Sequence, residues 1–125
     1  MNEETALAGR RVLVVEDEAM IAMLVEDMLA DFGCVVVGPA QGLEDGLALA
    51  RSGAEIDAAL LDVNLAGQPV FDLADALRMR GVPMIFSTGY GEDGLRDIDR
   101  GSPVLQKPFR AADLANALRQ ALGGG

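Results

Sequence analysis

A chain of 125 residues, half of them apolar, suffices for one domain with a proper core, and no second, effector-type domain is expected within it. Ten basic residues against twenty acidic ones give a formal net charge of −10, which repels nucleic-acid phosphates and anionic membrane surfaces alike. The chain has no histidine, which excludes a Ser-His-Asp triad, a Cys-His pair, a His-ligated zinc site and a phosphohistidine carrier, so any chemistry rests on carboxylates, hydroxyls and lysine.

In chain order, residues 1–10 read as an N-terminal extension without an apolar signal segment, 11–122 as the folded domain and 123–125 as a flexible tail. No run approaches the ~20 apolar residues of a membrane span, and a cytoplasmic protein is expected. Val12 to Val15 is an unbroken apolar run that predicts a first strand, and it passes directly into Glu16, Asp17 and Glu18. Ile21, Leu24, Val25, Met28, Leu29 and Phe32 then recur at helical spacing opposite Glu26, Asp27 and Asp31, until Gly33 stops the helix. The methionines of this helix read as core filler rather than a partner-binding face. Glu18 reads as a first-turn acid favoured by the helix dipole. Cys34 to Val37 predicts the second strand, and the lone Cys34 reads as a buried thiol in a reducing compartment.

Leu43, Leu47 and Ala50 mark a second helix ending near Gly53, and Ala58 to Leu61 a third strand. Val70, Leu73, Ala74 and Leu77 mark a third helix ending at Gly81, with Pro83 just beyond, before a fourth strand at Met84 to Phe86. Gly89 to Gly101 holds four glycines and few apolar residues, so any helix there is expected to be short and poorly anchored. Val104 and Leu105 predict a fifth strand; Leu114, Leu118, Ala121 and Leu122 predict a last helix that stops in Gly123 to Gly125. Five nearly all-apolar strands alternating with helices predict an α/β fold, a doubly wound parallel sheet covered on both faces.

Parallel strands collect the residues that follow them along one edge of the sheet. Glu16 and Asp17 follow strand one, Asp62 strand three in L-L-D-V-N-L, Thr88 strand four in I-F-S-T-G-Y, and Lys107 strand five in V-L-Q-K-P-F. With strands one and three adjacent and four and five beyond, in the order 2-1-3-4-5, these side chains face one cavity. Three carboxylates there repel by about 3 kcal/mol per pair at ~5 Å and an effective dielectric of ~20, a penalty that a divalent cation removes. Hard oxygen ligands suit Mg²⁺. The lysine is positioned for an anion, and the whole set fits a phosphoryl group carried on Asp62, with catalysis by positioning and charge neutralisation.

Glu16-Asp17, Asp62, Thr88-Gly89 and Lys107-Pro108-Phe109, each at the end of a different predicted strand, resemble the receiver domain of two-component response regulators over essentially the whole chain. The resemblance implies a flavodoxin-like fold and a module, rather than an enzyme, that accepts a phosphoryl group on Asp62 from a histidine kinase or histidine phosphotransfer protein and signals to a downstream protein target. It implies Asp17 as a direct Mg²⁺ ligand, Glu16 acting mostly through water, Asp62 and the main-chain carbonyl of Asn64 completing the metal site, and a monomer or a dimer formed on phosphorylation. It further implies a cis Lys107–Pro108 bond, a form that X-Pro bonds adopt at modest cost. P-M-I-F-S-T-G-Y-G resembles the F-A-T-G-Y signature of an alphaproteobacterial subgroup, with Ser87 in place of the alanine. Many receivers carry a switching aromatic residue three positions before the lysine; Val104 stands there, which leaves Tyr90 as the candidate switch and Gly89 to Gly101 as the segment expected to change most.

Two other contexts fit parts of the pattern. The chain also fits the terminal receiver of a hybrid histidine kinase. Mg-dependent phosphoryl-transfer enzymes of the topoisomerase-primase type combine a strand-end Glu with a D-x-D pair, but here Asp62-Val63-Asn64 lacks the second acid. Haloacid-type phosphatases need D-x-D after the first strand, and the phosphate-binding glycine motifs are absent.

Overall fold

Strands form where apolar runs are covered on both sides, and helices where the period changes. A computed structural model of the chain describes residues 7–89 and 95–123. In chain order the elements are β1 (Arg11–Val15), α1 (Ala19–Asp31), β2 (Val35–Ala40), α2 (Leu43–Arg51), β3 (Ala58–Asp62), β4 (Asn64–Leu65), β5 (Gln68–Pro69), α3 (Phe71–Met79), β6 (Met84–Thr88), a 3₁₀ turn (Asp97–Asp99), β7 (Val104–Gln106) and α4 (Ala111–Gly123). Five strands make a parallel sheet in the order β2-β1-β3-β6-β7, the predicted 2-1-3-4-5, while β4 and β5 form a separate antiparallel hairpin. None of the described helices is long and apolar enough to cross a membrane.

The alternation of each strand divides its side chains between two cores. Leu13, Val15, Ala59, Leu61, Met84 and Phe86 pack with Ala50 of α2 and Leu73 and Leu77 of α3. Val12, Val14, Ala58, Leu60 and Ile85 pack with Val25 and Leu29 of α1 and Leu114 and Leu118 of α4. Leu7, within the stretch expected as an extension, is buried in this second core, and Cys34 donates its thiol to the Leu7 carbonyl at 3.2 Å, its pKa raised by burial.

Three expectations need correction. Met20 and Met23 are 79% and 63% exposed, and Leu24 is 57% exposed, so these methionines are not core filler. The apolar stripe of α1 is wider than the strip the sheet can cover, and burial falls on Ala22, Val25 and Leu29 instead. Among the described residues of the crossover after β6, 95–101, there is a 3₁₀ turn, and this part is not poorly anchored: Leu95 and Asp99 are buried, and Asp99 pairs with two arginines. The second strand begins after Cys34 and runs on to Ala40, through a register shift opposite Leu13 and Val15.

That shift positions the site. Gly38 has φ 97°, and the irregularity lets the Ala40 carbonyl accept from the Glu16 N–H at 2.9 Å, fixing the chain where it leaves β1. A Cβ on Gly38 would lie 2.8 Å from the Ala40 nitrogen and 3.2 Å from the Val14 oxygen. Gly38→Ala is therefore expected to destabilise the domain by about 2 kcal/mol, read as a lowered urea midpoint. An unchanged midpoint would mean that the bulge does not depend on glycine.

Candidate functional site

The site assembles because β1, β3, β6 and β7 all end at the same edge. Continuing the alternation of Val12 and Val14, Glu16 leaves β1 on the α1–α4 face; Asp62 ends β3 on that face, and Ser87 is its register partner on β6. Thr88 ends β6, and its carbonyl accepts from the Lys107 N–H at 2.8 Å, which ties the start of the lysine loop to the threonine. Glu16, Asp62 and Thr88 are 4%, 6% and 5% exposed, depths at which a carboxylate or hydroxyl requires partners.

Those partners converge on Lys107. Its Nζ lies 2.7 Å from Glu16 Oε1 and donates to Asp62 Oδ2 at 3.1 Å. The other Asp62 oxygen accepts from the Asn64 N–H at 3.2 Å, and Glu16 Oε2 accepts from the Glu18 N–H at 3.1 Å. Asp17 is half-buried, with Oδ2 accepting from the Ala66 N–H at 3.0 Å. Glu16, Asp17 and Asp62 each offer an oxygen, all within 4.8 Å of one another. A cavity of about 490 Å³ opens over them, lined by Asp17, Asp62, Asn64, Thr88 and Lys107. The structure thus brings Glu16, Asp17, Asp62, Asn64, Thr88 and Lys107 together, and the Lys107–Pro108 bond is cis.

The electrostatics follow from burial. Desolvation raises the Asp62 pKa and pushes Glu16 up to about 7, although Lys107 opposes both. Burial alone would lower Lys107, but its bonds to Glu16 and Asp62 outweigh it and raise it. A carboxyl that holds its proton more tightly when folded favours the folded state at low pH and loses that contribution as pH rises from the ordinary value of 4.5 to about 7. Glu16→Gln is expected to flatten the pH dependence of unfolding free energy across this range in metal-free protein, measured by urea titration at its two ends. An identical slope in both proteins would show that Glu16 is not the group responsible.

Sequence reasoning missed the β4–β5 hairpin and its contact to Asp17. The signal was present in Ala66-Gly67 followed by Pro69, a two-residue turn between extended dipeptides.

With this geometry in hand, comparison with known proteins is direct. Residues 12–119 match the response regulator receiver domain family. The chain is 33% identical over 124 residues to the phyllosphere-induced regulator PhyR of Methylorubrum extorquens, covering 96% of this chain and 46% of that protein. It is 39% identical to the solution structure of SdrG from Sphingomonas melonis Fr1, with a TM-score of 0.80 over 93% of this chain and 98% of that one. The BeF3-activated conformation of SdrG matches at 41% identity and a TM-score of 0.78, over 92% and 98% of the two chains. The chain spans about half the length of the curated relatives it matches, 46% of PhyR and 58% of the regulator PdtaR of Mycobacterium tuberculosis. Sheet order, site and sequence agree: the chain belongs to the response regulator receiver domain family, phosphoacceptor modules of two-component signalling.

Proposed function

We propose that this chain accepts a phosphoryl group on Asp62 from a histidine kinase or histidine phosphotransfer protein and passes the signal on through protein contacts. One observation carries the reading: Asp62 is the carboxylate held centrally, with one oxygen bound by Lys107 and the other by the Asn64 N–H, at the floor of the acidic cavity. In the proposed transfer a carboxylate oxygen of Asp62 forms a bond to phosphorus as the bond from phosphorus to the donor histidine nitrogen breaks, and that nitrogen leaves with the electron pair. Lys107 balances the charge on the transferred group, and the Thr88 hydroxyl donates to it once it is in place.

Glu16, Asp17 and Asp62, with the Asn64 carbonyl, would hold Mg²⁺. The donor set is all oxygen, which fits that ion and offers no soft ligand. When bound, Mg²⁺ would neutralise the phosphoryl oxygens and relieve the repulsion among the carboxylates. Asp17→Asn is expected to weaken Mg²⁺ binding by about tenfold in calorimetric titration and to slow phosphorylation at limiting metal. Unchanged affinity would remove Asp17 from the ligand set.

The exposed apolar residues of α1 support a protein partner on this side. Between Ile21, Leu24 and Met28 of α1 and the Lys107-Pro108-Phe109 segment lies an apolar cavity of about 390 Å³, directly beside the site lysine. A phosphodonor protein seated there would bring its histidine to the mouth of the acidic cavity. The cytoplasm is the proposed compartment, in keeping with the unpaired, buried Cys34 thiol.

A further inference from the structure

Two residues each make β4 and β5, and the hairpin they form is tied into the core. Leu65 is 1% exposed in the core shared with α3, and the Val70 N–H donates to the Val63 carbonyl at 3.1 Å. The tip has Ala66 at φ 51° and Gly67 at φ 89°, the pair of left-handed residues that a tight two-residue turn requires. Ala66 is the one non-glycine residue with positive φ among the described residues, a conformation that costs an alanine about 1 kcal/mol. Asn64 Oδ1 accepts from the Gly67 N–H at 2.9 Å and closes the turn.

The consequence is an array of backbone groups facing the acidic cavity. Because the bond from Val70 to Val63 marks a hydrogen-bonded pair, the adjacent Asn64–Pro69 pair is the one without mutual bonds, so Pro69 costs no ladder bond and the amide and carbonyl of Asn64 both turn outward. That amide holds Asp62 Oδ1, and the Ala66 amide, 49 positions along the chain from its acceptor, holds Asp17 Oδ2. Two of three mutually repelling carboxylates are thus tied by one hairpin. Without such a tie, half-buried Asp17 would lower its energy by swinging toward solvent and away from Glu16 and Asp62.

We infer that the hairpin tip is a positioning element, in which the Ala66 N–H keeps the Asp17 carboxylate facing Glu16 and Asp62 so that the acidic site is assembled before a cation arrives. This rests on the metal-binding reading given above and adds the residues that prepare it. The left-handed Ala66–Gly67 pair makes the tight turn that holds the Ala66 amide against Asp17, and the site gains a preorganised ligand.

Hydrogen exchange on the full chain, without metal, tests the contact itself. Asp17→Ala is expected to speed exchange of the Ala66 amide about tenfold while the amides of β1 and β3 keep their protection. Unchanged Ala66 exchange would overturn the inference. A second arm uses Gly67, where a Cβ meets nothing within 4 Å, so a substitution acts only through φ. Gly67→Ala is expected to weaken Mg²⁺ binding about fivefold in calorimetric titration, and Gly67→Asn, which tolerates the left-handed region, to restore it. Equal affinities for Gly67→Ala and the parent would also overturn it. A parent protein that bound no Mg²⁺ at all would fail the metal reading instead, and the exchange arm would still decide whether the tip holds Asp17.

Discussion

Asp62→Asn is expected to take up no phosphoryl group from acetyl phosphate and Mg²⁺, whereas the parent gains the mass of a single one. The substitution preserves shape and keeps an acceptor for the Asn64 N–H, but it replaces the oxygen that faces Lys107 with an amide group that is no nucleophile. Loss of uptake could also come from unfolding, and the electrostatics separate the two. Burial raises the Asp62 pKa, so the ionised carboxylate costs stability at neutral pH, and a neutral side chain there relieves that cost. The variant should therefore be at least as stable as the parent by urea unfolding while failing to label. Intact-mass measurement decides: an acid-stable adduct remaining on Asp62→Asn would mean another acceptor.

How far the sequence leads here depends on which property each residue's position expresses. The sheet order and the site edge were legible because each of β1, β3, β6 and β7 is a short apolar run ending in a polar residue of distinct chemistry, and parallel strands turn that linear fact into a spatial one. Periodicity names the axis of a helix face but not how wide a strip its neighbours cover; hence Met20 and Met23, in phase with or beside buried residues, stand exposed. Hairpin β4–β5 escaped because four residues of strand carry no periodic signal, and its role lies in main-chain amides, which have no letter in the sequence. Tyr90, named as a switch, lies outside the described residues, as do residues 91–94 of the crossover. The rest of that crossover was misread for a different reason. Apolar anchors were sought where the anchor is ionic.

Asp99→Ala should therefore be the most damaging single change outside the sheet, costing about 3 kcal/mol in urea unfolding. Asp99 is wholly buried, with Oδ1 accepting from Arg78 Nη2 at 2.6 Å and Oδ2 from Arg96 Nε at 2.8 Å. Arg96 also reaches Asp75 on α3 at 2.8 Å and lies 4.6 Å over the Phe71 ring, and its pairing with Asp75 and Asp99 raises its pKa further. One aspartate thus joins the crossover to the C-terminal end of α3 through Arg78, and removing it leaves two guanidiniums sharing Asp75. Their partial exposure to water sets the cost at the low end of the range for broken buried pairs. Asp97, two positions earlier and fully exposed with a single 3.9 Å contact to Arg100, is the control and should be silent on mutation to alanine. Asp99→Asn, which keeps the shape and part of the hydrogen bonding, should fall between the two. If Asp99→Ala unfolded at the same urea concentration as the parent, the crossover would be held by Leu95 and its backbone bonds. A loss on changing Asp99, with none on changing Asp97, would mean that movement of residues 95–101 on phosphorylation must first break an ionic clamp.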